Sequence, residues 1–528
     1  MGERFGRWLV WVGVVAVAVG AVLTVPVRHL SEPDEARYAE VAREMIQLGR
    51  WLVPCLHGEP YTHKPPIYLW LVAGLRILGC GWTVAAVVPA LAAFLLTLAL
   101  LPGLGRRLGL DREDGMLAVV ILATTPLFAT FALVGRMDML LVATHTAASA
   151  ALAGLVVEGG EPRGRPLRDH LLLWGAVGLG ILVKGPVALA LAVATALAWA
   201  GLAGGRPALR RVFLGWGPLL ALGVVLAWLV PAGLGAGRDW LEELVVHQSA
   251  GRMVSSFAHP QPLYYYLLAY PIAGLPWSPF VVAGLVAAAR RGGDRSARLP
   301  AAAFAAGLLF LSLLSGKIVI YMLPLFPLAA LLAARTVRQA SWGWWLPALA
   351  GGGAALLGIA AIVVPQVRSE VHPVAAELTA VGLAMAILGG AAARAARAGR
   401  GWVAPVALAG ALVPAVALPL AFWSADGAMS SFEIAAAVRT LEPAASDVLT
   451  VDLDLFGVSL YAERLPRPLR TKAEFQEALA AGRVVVAHRD SARLRRPPPG
   501  TVAFRVLETG FRRAPAVILA PPGTAHSR

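Results

Sequence analysis

Long apolar runs recur along this chain as far as residue 423. They fall at roughly 8–27, 84–104, 115–134, 139–157, 171–183, 186–203, 212–233, 269–288, 300–315, 318–334, 342–364, 374–393 and 402–423. A helix needs about 20 apolar residues to cross the hydrocarbon of a bilayer. Several alanine-rich runs are shorter, so their boundaries are soft. Inside lipid every backbone group must be satisfied internally, which leaves helices or closed barrels. Runs of this length specify helices. The expected fold is therefore an all-α polytopic membrane protein with about thirteen transmembrane helices. Composition agrees: 58% of the 528 residues are hydrophobic and 15% charged, with a mean hydropathy of +0.69, against about 25% charged in soluble domains. The first run is read as a span, because no small-x-small cleavage site precedes Arg28.

A net charge of +15 invites a nucleic-acid reading. The arginines exclude it, because they are scattered through short loops between apolar runs, where orientation signals belong. The segments ERFGR, GRRLGLDRED, EPRGRPLRDH, GGRPALRR, RRGGDRSAR, RTVRQ and RAARAGR alternate to one side and hold twenty arginines and no lysine. The positive-inside rule makes that side, with the N-terminus, cytoplasmic. The opposite side carries residues 28–83, a turn at 135–138, a turn at Lys184, a loop at 234–268, a turn at 316–317, and the tail. This divides the chain into a membrane domain, 1–423, and an outer domain, 424–528. The tail loses the long apolar runs. VLTVDLD, RVVVAHR, TVAFRVL and APAVILAP read as strands and KAEFQEALAAG as a helix, so a small C-terminal α/β domain is expected. It has no nucleotide-binding glycine fingerprint, and RRPPPG at 495–500 reads as a turn. The two cysteines, Cys55 and Cys80, are expected to be unpaired thiols.

Only four of 46 cationic residues are lysine, and three of them, Lys64, Lys184 and Lys317, lie on the outer side, against the orientation bias. A single one reads as a solvated loop charge. Three together point to an anionic ligand, since a compact ammonium suits phosphate. The same side holds SEPDEARYAE. Pro33 and Gly49 bracket a helix from Asp34 to Leu48. By position Asp34 is a carboxylate stabilising a helix N-terminus, and by context it is a base facing a cavity, with Arg37 one turn on. Glu32, Glu35 and Glu40 read as helix-start and surface charges. In GRMDM, Arg136 and Asp138 are either an ion pair holding a turn or functional groups. Asp138 is the single acid between Gly115 and Val157, and charges at the hydrocarbon boundary are uncommon. His63 beside Lys64, and His247 and His259 in the later loop, are candidate ligand contacts. The aromatic residues of 234–268 read as an interfacial belt. Lys317 and Tyr321, four apart, are expected on one helical face. Carboxylates among phosphate-binding cations suit glycosyl transfer from a phosphate-linked sugar: a base takes the acceptor proton and cations stabilise the departing phosphate.

PDEARYAEVAREMIQLGRWLVPCLHGEPYTHKPPIYLWL resembles the first outer loop of bacterial lipid-dependent glycosyltransferases of the GT-C type. That group includes the aminoarabinose transferases of lipid A and the protein O-mannosyltransferases. The resemblance continues through LVGRMDMLLV, GLGILVKGPVALAL, HPQPLYYYLLAYPIAGLPWSPF and LSGKIVIYMLPLFPLAALL, over about residues 8–335. It implies an inverting enzyme of the bacterial inner membrane. Such an enzyme moves a sugar from a polyprenyl-phosphate donor to a periplasm-facing lipid, glycan or protein acceptor. The family's catalytic acids fall on Asp34 and Asp138. Its phosphate contacts fall on Lys64, Lys184 and Tyr321, with Arg37 and Lys317 beside them. Where aminoarabinose transferases carry glutamate before the lysine, helping to bind a divalent metal, this chain has His63. Aligned with the family's V-H-E-H pattern, the second histidine becomes Ser249. His63 and His247 are the remaining candidate ligands for zinc or magnesium. Two readings of other classes stay open. One is a transporter or flippase of anionic lipid-linked substrates, which usually shows internal repeats; the other is a non-catalytic scaffold.

Overall fold

The structure, a computed structural model, describes residues 3–156, 166–203, 205–245, 260–290, 294–339, 343–399, 401–453, 455–488, 491, 502–507 and 516–520. Helix α1 (Glu3–Thr24) leads through a short linker into α2 (Asp34–Leu48). Pro33 precedes α2, and Gly49 ends it at φ 68°, a left-handed conformation open to glycine without a Cβ penalty. Strands β1 (Cys55–Leu56) and β2 (Glu59–Pro60) form a small hairpin. Helix α3 (Ile67–Ile77) follows, an element outside the thirteen expected runs. The bundle continues with α4 (Trp82–Arg107), α5 (Arg112–Ala123), α6 (Pro126–Phe131), α7 (Asp138–Leu155), α8 (Pro166–Lys184) and α9 (Val187–Ala203). Next come α10 (Gly205–Phe213), α11 (Gly217–Ala236) and α12 (Arg238–Glu242). Then follow α13 (Tyr265–Ala273), α14 (Ser278–Ala289), α15 (Arg295–Leu313), α16 (Phe326–Arg338), α17 (Trp345–Val367), α18 (Ala375–Arg397), α19 (Val403–Leu412) and α20 (Leu418–Met429).

This is a multi-pass membrane protein. Among the described residues helix covers most of each of the thirteen apolar runs, and eight helical stretches are long and apolar enough to cross a membrane. The other five runs, 8–27, 115–134, 171–183, 186–203 and 269–288, give helices that are shorter, broken or more charged. Pro126 opens a new helix after Thr125 and splits 115–134 into α5 and α6; proline cannot donate the bond that would continue the first helix. Helices α17 and α18 form the tightest hairpin. A Cβ on Gly358 would collide with the carbonyl oxygen of Gly382, and one on Gly389 with that of Gly351. Small residues let the two backbones touch, the packing that holds helices together where no hydrophobic effect separates them from lipid. Cys55 and Cys80 are free thiols, as expected.

After α21 (Phe432–Leu441) the chain forms a five-stranded sheet. Its strands are β3 (Asp447–Val451), β4 (Leu465–Pro468), β5 (Val485–His488), β6 (Val502–Leu507) and β7 (Ala516–Ala520), in the order β4-β3-β5-β7-β6, with α22 (Phe456–Ala462) and α23 (Lys472–Ala480). Strand β3 pairs in parallel with β4 and β5, while β7 is antiparallel to β5 and β6. Alternate residues point to opposite faces. Val448, Val486 and Ile518 pack toward α21 and α22, whereas Leu449, Val485 and Leu519 pack toward Phe475 and Leu479 of α23. The expected α/β domain is present, with strand β4 and helix α22 in addition. The proline turn at 495–500 lies outside the described residues.

Candidate active site

Helix α2 brings its first turn against the turn that precedes α7. The carboxylate that fixes this contact is Glu35, which is not the helix-start or surface charge that the sequence suggests. Glu35 is buried. It accepts hydrogen bonds from both terminal nitrogens of Arg28 at 2.8 Å, from the Gly135 backbone N–H at 2.5 Å and from the Ser31 N–H at 3.0 Å. Arg28 also donates to the Leu133 carbonyl at 2.9 Å. Burial works to raise the Glu35 carboxyl, and the Arg28 guanidinium overcomes it and holds the group below the ordinary carboxylate range. The loop carrying Arg136 and Asp138 is thus clamped to the helix carrying Asp34 and Arg37.

Glu32 and Glu40 are also buried. Glu32 accepts from Ser431 Oγ at 2.7 Å, Gly457 N–H at 2.6 Å and Phe456 N–H at 3.2 Å, which ties the membrane-side loop to the C-terminal region. Burial pushes its carboxyl up to about 7, against these hydrogen bonds. His29 with Asp426 at 2.6 Å and the Leu30 N–H donating to the Tyr461 hydroxyl oxygen at 2.6 Å add to the same contact. Glu40 pairs in bidentate fashion with Arg43 at 2.7 Å, and Arg43 donates onward to the Arg464 carbonyl at 3.0 Å. Glu35 stands with Tyr38, Ala39 and Ala42 at helical spacing, so its burial was readable from the apolar face it shares. The partners of Glu32 lie some 400 residues away, and no local signal marks them.

Five charged side chains form an alternating chain at this junction. Arg37 and Arg136 both donate to Asp34, one to each carboxylate oxygen. The Nε of Arg136 donates to Asp138 Oδ2 at 3.0 Å, and Lys184 Nζ donates to Asp138 Oδ1. Lys184 ends α8, and its ammonium stands 4.8 Å from the ring centre of Tyr321, a cation–π contact. Burial works to lower the Arg136 guanidinium, and the carboxylates of Asp138 and Asp34 raise it above its ordinary value. Both acids are held by two cations, but they differ in access. The Asp34 side chain is 27% exposed and that of Asp138 is 3% exposed.

Next to Lys184 lies an apolar cavity of about 320 Å³, lined by Pro65, Gly185, Pro186, Trp228 and Leu229 among others. Pro65 and Gly185 are the chain neighbours of Lys64 and Lys184, so both lysines leave the backbone at its rim.

Lys317 departs from expectation. Gly316 pairs with Pro260 in an isolated antiparallel bridge, and Ile318 is extended. Lys317 therefore precedes the 3-10 turn Val319–Leu325 that carries Tyr321, and the two do not share an α-helical face. Its ammonium is buried and donates to the Gln261 carbonyl at 2.9 Å. The aromatic belt is also only partial: Tyr264 is exposed, whereas Trp240 packs against Trp228, and Tyr266 is buried with its hydroxyl on the Ile318 carbonyl. His63 is exposed, with its ring 5.2 Å from that of Tyr61. His247, Ser249 and His259 lie outside the described residues. Among the described residues no three His, Cys, Asp or Glu side chains are grouped to hold a metal ion.

Residues 63–231 match the family described as dolichyl-phosphate-mannose-protein mannosyltransferase. Undecaprenyl phosphate-alpha-4-amino-4-deoxy-L-arabinose arabinosyl transferase 2 of Sodalis glossinidius is 32% identical over 330 residues, 60% of this chain and 58% of that one. The transferase of the same description, without the number, from Pseudomonas paraeruginosa is 30% identical over 383 residues, 67% of this chain and 66% of that one. The chain thus aligns with less than two thirds of these relatives' lengths. The crystal structure of ArnT from Cupriavidus metallidurans bound to undecaprenyl phosphate superposes with a TM-score of 0.82, covering 99% of each chain at 19% identity. The Archaeoglobus fulgidus oligosaccharyltransferase superposes less closely, with a TM-score of 0.54 and 12% identity over 91% of this chain and 69% of that one. The chain therefore has the GT-C-type fold of ArnT from Cupriavidus metallidurans, and in sequence it is similar to the undecaprenyl phosphate-alpha-4-amino-4-deoxy-L-arabinose arabinosyl transferases.

Proposed function

We propose that this protein is an inverting glycosyltransferase. It moves a sugar of the aminoarabinose class from an undecaprenyl-phosphate donor to lipid A or another envelope glycolipid. One observation carries the proposal: the chain Arg37–Asp34–Arg136–Asp138–Lys184 ends at the rim of an apolar cavity. Cations at the mouth of a greasy cleft suit a phosphate that carries a long hydrocarbon.

In the reaction, Asp34 takes the proton from the acceptor hydroxyl, as its partial exposure permits. The hydroxyl oxygen attacks the anomeric carbon while the bond from that carbon to the phosphate oxygen breaks. The donor leaves as polyprenyl phosphate, whose added charge falls on Lys184, Lys64 and Arg37. Asp138, closed off from solvent and bonded to both cations, positions Lys184 and Arg136, and the Tyr321 ring lies against the ammonium. Lys317 supports the Tyr321 segment from its own bond to Gln261. The active site faces the periplasm and the N-terminus the cytoplasm. This orientation is supported by the arginine-rich ends of α4 and α16, which lie at the other end of the bundle. There Arg338 meets Asp111 at 2.9 Å and Glu113 at 2.6 Å.

A divalent ion on His63 and His247 is a separate proposal. The described residues supply His63 alone, so no step above is routed through a metal. Metal content of the purified protein and of its His63→Ala variant tests it; equal content in both would dismiss His63 as a ligand. The function itself is tested by mass spectrometry of lipid A and glycan fractions from a deletion strain. The expected result is loss of the aminoarabinose-bearing species and its return on complementation; unchanged lipid A with a sugar lost from secreted protein would move the acceptor to protein.

A further inference from the structure

A second cavity, of about 590 Å³, lies at the opposite ends of the helices that build the site. Ala147, Ala150 and Ala151 of α7 form its floor, and their small side chains leave the space open. Arg106 and Arg107 of α4 form one wall, and Arg168 of α8 faces them. Ala150 is twelve residues along α7 from Asp138, about 18 Å, and Arg168 is sixteen residues before Lys184, about 24 Å at 1.5 Å per residue. This cleft is therefore separate from the sugar-transfer site.

Among the described residues its charges are unbalanced. Arg107 is fixed, donating to Asp169 and to the Ala150 carbonyl, both at 2.8 Å. Gly154 makes that pair possible, because a Cβ there would collide with the Asp169 carboxylate and with Arg107. Arg106 and Arg168 meet no carboxylate among the described residues. Among the described residues three guanidinium groups thus line the cavity, and the one carboxylate paired with them, Asp169, is buried beside it. The rest of the lining is apolar, with Ala99, Leu100 and Pro102 of α4 and Leu172 of α8, and further leucines of the same two helices lie on the outside of the bundle. Leu95 and Leu96 of α4 and Leu167, Leu171 and Leu172 of α8 are all exposed there, as residues facing lipid tails are.

We propose that this cleft binds one anionic glycerophospholipid of the leaflet at the arginine-rich end. The phosphate sits among Arg106, Arg107 and Arg168, and the acyl chains lie along Leu172 and the exposed leucines. Basic pockets between transmembrane helices recognise lipid headgroups in this way. Guanidinium forks match two phosphate oxygens at once. A soluble anion would use the arginines but leave the apolar walls in contact with nothing it could cover. The site bridges residues of α4 and α8, and it does not depend on the proposed activity.

The test uses the full-length protein purified in uncharged detergent. Native mass spectrometry and thermal-midpoint titration are run with phosphatidylglycerol, phosphatidylcholine and inorganic phosphate. The double variant Arg106→Gln/Arg168→Gln removes the two cations without breaking the Arg107–Asp169 pair. At about five-fold per arginine at a membrane surface, its affinity for phosphatidylglycerol should fall ~25-fold. Wild type should retain phosphatidylglycerol and be stabilised by it, and should respond to neither phosphatidylcholine nor inorganic phosphate. A second variant, Ala147→Phe, fills the floor with every charge in place and should also lose the lipid. Equal phosphatidylglycerol binding by wild type and the double variant would overturn the proposal. So would stabilisation by inorganic phosphate alone, which would make the cleft a site for a soluble anion.

Discussion

Replacing Glu35 with glutamine changes one oxygen for one nitrogen, yet it should be among the more damaging substitutions in the chain. The Arg28 and Glu35 side chains are 1% and 4% exposed. The Glu35 carboxylate takes four hydrogen bonds, two of them from Arg28. Glutamine removes the charge and turns an N–H₂ donor toward another donor. Arg28 then keeps its charge with no partner for it, in a site closed to water. Removing one member of a buried pair costs about 3–5 kcal/mol. The same change frees the Gly135 end of the loop that sets Arg136 and Asp138. A misplacement of ~1 Å at a catalytic centre can cost about a hundred-fold in rate. The expected result is a lower thermal midpoint and a kcat for sugar transfer reduced on the order of a hundred-fold. The double variant Arg28→Met/Glu35→Leu separates the two effects. Apolar replacement of both partners is often neutral or stabilising, so it should recover most of the midpoint. It cannot remake the bond to Gly135, so kcat should stay low. Additive losses of stability in a double-mutant cycle would refute the clamp, as would normal turnover by a folded Glu35→Gln protein.

Three further expectations follow from the same geometry. Lys184→Ala should weaken binding of undecaprenyl phosphate by roughly ten- to a hundred-fold, the range for a lost charged hydrogen bond, and Lys317→Ala should weaken it less; the reverse order in a direct binding titration would return Lys317 to the phosphate. Glu32 has a folded-state carboxyl near 7, raised by burial above the ordinary 4.5. Its contribution is then fully present below about pH 4.5 and lost as pH rises through 7, a difference of about 3 kcal/mol. Thermal midpoints from pH 5.5 to 8.5 should fall less steeply in Glu32→Gln than in wild type, and parallel curves would contradict the assignment. Gly358→Val places a side chain against the Gly382 carbonyl and should destabilise the α17–α18 hairpin by about 1–3 kcal/mol, seen as accelerated proteolysis or hydrogen exchange there.

The membrane architecture was legible because its signals are local. Apolar runs mark helices, and Pro33 and Gly49 set the limits of α2 to the residue. Alternating valines and leucines mark the strands of the C-terminal sheet. Candidate site residues stood out through scarcity: few lysines, and one acid in the stretch around α7. What sequence could not supply was the pairing of distant groups. Nothing near Glu32 announces Phe456 and Gly457, and nothing near Arg28 announces Leu133. Lys317 was misplaced because four-residue spacing implies a shared face only in an α-helix, and here the backbone is extended and then turns in 3-10 geometry. The breaks at Thr125 and before α14 were likewise hidden, since an apolar run reads the same whether or not neighbouring helices cover its interruptions.

The central claim is that Asp34 is the base in sugar transfer at a site where cations hold the donor phosphate. The most direct measurement is single-turnover transfer from undecaprenyl-phosphate aminoarabinose to lipid A by purified Asp34→Asn, beside a donor-binding titration on the same sample. The account predicts loss of transfer with donor binding retained, because asparagine keeps one oxygen for one of the two guanidinium groups, leaves the phosphate-binding lysines in place and cannot take the acceptor proton. Transfer at the wild-type rate by a folded Asp34→Asn protein would contradict it.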